Sequence, residues 1–231
     1  MIHILNSTGG SDEVNSIRYE GNPTDKEKAE MKRQTPLITI DWDSIIPDPP
    51  SNTSDVTKKD LKEVEELSRG VSYEEFDFIM LVDDDTANLF KSYAKKAGLD
   101  YPSELIDDVM HDIDMVILNL KYKFRRPRPF QVAPHLGYVI TVIQTNTHQT
   151  PSYPSGHQAQ GSIIAEVMSS LYPEHKAKWD ELANLVGKAR VMQGVHYSGD
   201  NEAGVTLAKT LWADMKNNLS DHYSKLIKEQ K

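Results

Sequence analysis

Eight residues in three short segments have the types and spacing to handle a charged oxyanion. They are Lys121 and Arg128 in LKYKFRRPRPF; Ser155, Gly156 and His157 in PSYPSGHQAQ; and Arg190, His196 and Asp200 in KARVMQGVHYSGD. Pro154 bars a helix from running through the second segment, yet Gln158 to Leu171 reads as a helix. A helix therefore starts behind a rigid turn. Its first turn exposes unpaired N–H groups and a partial positive charge, which suits an anion. Ser155 can cap it, with Gln158 at capping-box spacing, and Gly156 permits close approach to the backbone. His157 then stands beside whatever anion binds. Read alone, the segment favours the plainer account, a capped helix with an incidental histidine.

The other two segments add charge and a nucleophile. Lys121, Lys123, Arg125, Arg126 and Arg128 crowd one helix end in a chain of formal net charge -9. That is a solvated basic helix end or an anion clamp, since the planar guanidinium fork fits phosphate oxygens. A nucleic-acid patch would need an aromatic platform or a second basic block, and neither is present. In the third segment Asp200 follows His196 by four residues. A carboxylate there can take a hydrogen bond from one imidazole nitrogen and leave the other lone pair free to attack. Taken singly, Arg190 is a helix-end cation, His196 a core histidine and Asp200 an N-cap.

Helices must position these groups. Apolar residues recur at helical spacing at Val56, Leu61, Val64 and Leu67, ending at Gly70, and two further helical stretches follow, the second stopped by Gly98. PSELIDDVMHDIDMVILNLKYKF carries a wide apolar stripe and predicts a central buried helix. Three more helices follow a long loop: one after Gln158, one over about 174–193 with Gly194 as its stop, and one from near Asp200 that carries Trp212, Leu219 and Leu226. Only GYVITVIQT alternates like a strand, and it is short. The pattern predicts an all-α protein: a single helical bundle over 56–231 behind an irregular N-terminal arm over 1–55. The arm reads either as a mobile tail or as an ordered arm that could serve as a homo-oligomer contact.

Totals exclude several classes. The 231 residues include no cysteine, so there is no disulfide, thiolate metal site or thiol nucleophile. Mean hydropathy is -0.55, and no run approaches the roughly 18 apolar residues of a membrane span. The first residues lack the basic and apolar regions of a signal peptide. The chain is read as cytoplasmic or as one whose signal was removed, with no nucleic-acid or membrane partner. Two acidic runs, 83–85 and 107–114, place Asp108, His111 and Asp112 on one helix face; solvated faces are the expectation, with no metal site.

Taken together, the order Lys-x6-Arg-Pro, Pro-Ser-Gly-His, Arg-x5-His-x3-Asp resembles the three-part signature of the type 2 phosphatidic acid phosphatase and vanadium haloperoxidase superfamily. Over roughly 100–215 it is most similar to bacterial class A non-specific acid phosphatases. The resemblance implies the helical fold of that group and a metal-independent phosphatase acting on small phosphorylated substrates. Lys121, Arg128, Ser155, Gly156 and Arg190 would bind phosphate. His196 would form a phosphohistidine, Asp200 would orient it, and His157 would serve as general acid and base. No cofactor is implied; vanadate would inhibit. The alternatives are a vanadium-dependent haloperoxidase, with vanadate as its cofactor in the same pocket, and a non-catalytic phosphate-binding helical protein. Two positions depart from the pattern. Ala189 stands where the family usually has serine, and Thr150 where haloperoxidases have an aromatic or histidine, with His148 nearby.

Overall fold

The computed structural model describes residues 10–220 and 223. Leu226 lies outside the described residues. Two short helices, α1 (Ser11–Ser16) and α2 (Asp25–Glu30), precede α3 (Asp55–Ser68), α4 (Tyr73–Asp84) and α5 (Ala87–Ala97). The long α6 (Ser103–Phe124) is followed by a short turn, α7 (Pro129–Val132). Three long helices follow among the described residues: α8 (Gly156–Leu171), α9 (Lys176–Met192) and α10 (Ser198–Met215). No strand forms among the described residues, and the alternating 137–145 stretch is irregular.

The core lies where α8 packs against α9, α10 and α6. Leu105, Val109, Ile113, Val116 and Leu120 face it from α6; Ile163, Ile164, Val167 and Met168 face it from α8; all are fully buried. Each such side chain contributes about 1.5–3 kcal/mol by leaving water. On α3, Leu61 and Val64 are buried as expected, but Val56 is exposed, and in the same first turn it is Thr57 that is buried. Gly204 lets α10 press on the start of α8: a Cβ there would meet the Ser155 carbonyl oxygen at 2.8 Å. Gly194 ends the α9 region at φ +81, where a side chain would collide with the Thr141 carbonyl oxygen.

The N-terminal segment is strapped to this body. Asp112 Oδ2 accepts the Leu37 N–H at 2.8 Å, and Asn218 donates to the Leu37 carbonyl at 3.0 Å. Asp112 is thus buried, not on a solvated face. Arg125, in the left-handed region at φ 50, donates to the carbonyls of Tyr19, Glu20 and Gly21. A non-glycine residue there is uncommon; the turn aims its side chain away from the basic cluster and onto the arm.

Candidate active site

The three polar segments meet at the floor of a cavity of about 690 Å³, within the usual range for ligand sites. One face of α6 supplies Asp114, Ile117, Leu118 and Lys121, at helical spacing. The first turn of α8 supplies Gly156 and His157, and Arg128 and His196 complete the floor.

His196 is held from both sides. Arg128 Nη1 lies 2.8 Å from His196 Nε2, and Asp200 Oδ2 lies 3.0 Å from Nδ1. Arginine only donates, so Nε2 is the acceptor and Nδ1 carries the proton toward Asp200. Burial and then Arg128 push the imidazole well below its ordinary value, against the opposing pull of Asp200. His196 is therefore neutral. Asp200 is fully buried and accepts four hydrogen bonds: from His196, from Arg126 at 2.7 Å, from Ser152 at 2.5 Å and from the Tyr197 N–H at 3.2 Å. Burial alone would raise its pKa; Arg126, with His196 and Ser152, outweighs that and holds it well below the usual carboxylate range.

Two of the four buried cations have no carboxylate partner among the described residues. Lys121 Nζ donates to the carbonyls of Pro151 at 2.6 Å and Ser152 at 3.3 Å. Arg128 donates to the carbonyls of Thr150 at 2.9 Å and Val195 at 2.9 Å, and to the Thr150 hydroxyl at 3.3 Å. Burial, and then Arg128, pushes Lys121 well below its ordinary value; burial, and then Arg190, pushes Arg128 down to about 9. Both remain protonated most readily when an anion arrives. The other two cations are paired: Arg126 with Asp200, and Arg190 with Asp83.

Asp83 was not among the candidate residues. It belongs to an acidic run that reads as a solvated face, yet it is buried and accepts from Arg190 and Thr147, and from Thr145 at 3.1 Å. Its carboxyl is depressed although burial opposes this, chiefly by Thr147 and Arg190. His157 faces the cavity with Nε2 3.4 Å from the Asp83 carbonyl oxygen. Burial and then Arg190 push it down to about 3, with Asp83 opposing.

Not every candidate touches the cavity. Ser155 is fully buried and caps α8 by accepting the Gln158 N–H at 3.4 Å. Gln158 does not complete a capping box; its amide donates to Ser162 and to the Ala183 carbonyl instead. Arg190 stands behind the wall, reaching it through a 3.0 Å bond to Thr147. Lys123 points outward to Asp43. The described residues hold no group of three or more histidine, aspartate or glutamate side chains able to bind a metal ion.

The helical body has the fold of the vanadium haloperoxidases and of a PAP2-type phosphatase. A bacterial vanadium-dependent chloroperoxidase superposes with a TM-score of 0.62 at 12% identity, covering 93% of this chain and 60% of that one. A bacterial vanadium-dependent iodoperoxidase gives 0.60 at 20% identity, covering 79% and 54%. The transmembrane PAP2-type phosphatidylglycerolphosphate phosphatase from Bacillus subtilis gives 0.52 at 20% identity, covering 71% and 86%. Residues 112–217 match the family model described as the PAP2 superfamily. Its sequence is similar to the non-specific acid phosphatase of Providencia stuartii, 30% identical over 116 residues, or 50% of this chain and 46% of that protein. It is also similar to the acid phosphatase of Zymomonas mobilis, 27% identical over 129 residues, or 53% and 48%. The chain thus spans about half the length of these curated relatives. No helix among the described residues is long and apolar enough to cross a membrane.

Proposed function

We propose that the protein is a metal-independent phosphatase that hydrolyses small, water-soluble phosphomonoesters through a phosphohistidine on His196. One observation carries this reading: two buried cations without carboxylate partners, Lys121 and Arg128, flank a neutral histidine whose proton is fixed on the far nitrogen. Such a floor is complementary to a phosphoryl anion.

A phosphoryl group seated there takes its hydrogen bonds from Lys121, Arg128 and the first-turn N–H groups of α8, beginning with Gly156. Ser155 and Arg190 support that seat from behind, Ser155 by starting the helix and Arg190 by its positive field. When Arg128 turns its donor to a phosphoryl oxygen, the His196 Nε2 lone pair is released. It attacks phosphorus as the bond to the leaving oxygen breaks. Nδ1–H stays on Asp200, which stabilises the positive charge formed on the ring. His157 gives a proton to the leaving oxygen, then takes one from the water that cleaves the P–N bond. The bound phosphoryl dianion offsets the burial and the Arg190 field that keep His157 neutral in the free site. The cations supply the charge stabilisation that a metal supplies elsewhere, so the mechanism calls on no cofactor. Vanadate would fill the same seat and inhibit.

The test is turnover of p-nitrophenyl phosphate in the presence of a chelator, beside bromide oxidation with vanadate and peroxide. Phosphate release that survives chelation supports the phosphatase. Bromide oxidation without phosphate release would assign the pocket to haloperoxidase chemistry, and neither activity would leave a phosphate-binding protein.

A further inference from the structure

The cavity is far larger than a phosphoryl group, and its outer half has a chemistry of its own. It is built by two parts of the chain. Lys26, Glu30 and Arg33 come from α2 and the turn after it; Asp114 and Gln160 come from α6 and α8. The two parts are held together by the Arg125 clamp on 19–21 and by Asn119, which donates to the Met31 carbonyl at 3.0 Å. A capping box sets α2 itself: Glu27 Oε2 accepts from the Thr24 N–H at 2.7 Å and its hydroxyl at 2.8 Å.

The wall mixes hydrogen-bond donors and acceptors with apolar surface in about equal measure. Glu30 is compensated by Arg33 at 2.5 Å, and Asp114 Oδ1 accepts the Gln160 amide at 2.8 Å. Burial pushes the Asp114 carboxyl up to about 6. Among the described residues that line the cavity, the apolar side chains are Ile117 and Leu118, and none is aromatic. An aryl or nucleobase leaving group would find no stacking platform, and an alkyl chain would meet only Ile117 and Leu118 as apolar side chains while leaving the donors and acceptors unpaired. An ammonium group only donates and a second phosphate only accepts, so each would meet half of this wall unfavourably. A hydroxyl does both.

We infer that this outer half is a leaving-group subsite for a hydroxyl-rich alcohol, so that the preferred substrate is the phosphomonoester of a polyol or sugar. The inference rests on the phosphatase reading above. Asp114 accepts a substrate hydroxyl, Gln160 both orients Asp114 and donates, and the arm closes the far side with Glu30 and Lys26.

The experiment compares kcat/KM for sorbitol phosphate and for hexyl phosphate, alcohols of equal carbon count, with p-nitrophenyl phosphate as a separate control. The wild-type chain should favour sorbitol phosphate by about tenfold or more, the factor expected when a polar wall is left unpaired by the analogue. In Asp114→Ala and in Gln160→Ala that ratio should fall to within about threefold, with melting temperatures confirming a folded chain. Equal use of both alcohols by the wild type, or a ratio unmoved in both variants, overturns the subsite. If p-nitrophenyl phosphate is not hydrolysed, the phosphatase reading itself has failed. Calorimetric titration of the full chain with the same two phosphates then decides the subsite alone, with tighter binding of sorbitol phosphate expected and equal binding contradicting it.

Discussion

Replacing Asp83 with asparagine changes one charge and almost no volume, and it isolates the pair that backs the cavity. In the wild type the Asp83 carboxylate faces Arg190, and both side chains are buried. Removing one member of a buried ion pair costs about 3–5 kcal/mol, because the survivor keeps its charge without compensation. Asparagine retains an oxygen able to accept from Thr147 and Thr145, so the low end, about 3 kcal/mol, is expected. For a chain of this size that lowers the melting temperature by about 6–12 °C. The loss should be partly returned by inorganic phosphate. Arg190 already reaches the wall through Thr147, and a bound dianion restores its counter-charge. Tenfold tighter phosphate binding in the variant would add about 1.4 kcal/mol of ligand-induced stabilisation. The assay is thermal unfolding by circular dichroism, with and without phosphate, on both proteins. A variant melting within about 2 °C of wild type would refute the buried-pair argument. A variant stabilised by phosphate no more than wild type would refute the link between Arg190 and the anion.

Three further outcomes follow from the site. Asp200→Asn should lower kcat by about four orders of magnitude with KM little changed, since the amide would favour the wrong His196 tautomer; stopped-time phosphate release on a folded variant measures it. His157→Ala should slow an alkyl phosphate far more than p-nitrophenyl phosphate, whose leaving group barely needs a proton, and equal losses would remove His157 from the acid role. Stability should fall on acidification from about pH 6.5, because His157 and His196 are held neutral when folded and bind protons when unfolded. By that linkage His157 alone costs about 2 kcal/mol at pH 5, and urea titrations at pH 7 and pH 5 would show it.

What was legible in the sequence was local. The α6 stripe, the start of α8 behind Pro154 and the His196–Asp200 spacing each depend on residues a few positions apart, where helical periodicity and turn chemistry act. What was not legible depends on distant partners. Asp83 pairs with Arg190 across 107 positions, and nothing in its acidic surroundings separates it from a solvated residue. Arg125, Arg126 and Arg128 look alike in sequence, but three backbone directions send them to the arm, to Asp200 and to the cavity. Asp112 read as surface because its partner is the Leu37 backbone, which no side-chain pattern announces. That the arm supplies pocket wall was expected from the family resemblance, but which of its residues do so was not legible: α2 is six residues long and buries no side chain fully, so it leaves no apolar period to read.

The central claim is that His196 carries the phosphoryl group. The direct measurement is rapid mixing of the protein with a radiolabelled phosphomonoester, quenching within the first turnover, and mapping of the labelled peptide. The account predicts an acid-labile, base-stable label on His196, absent from His196→Ala. A stable label on Ser155 or another hydroxyl, or full turnover by His196→Ala, would contradict it.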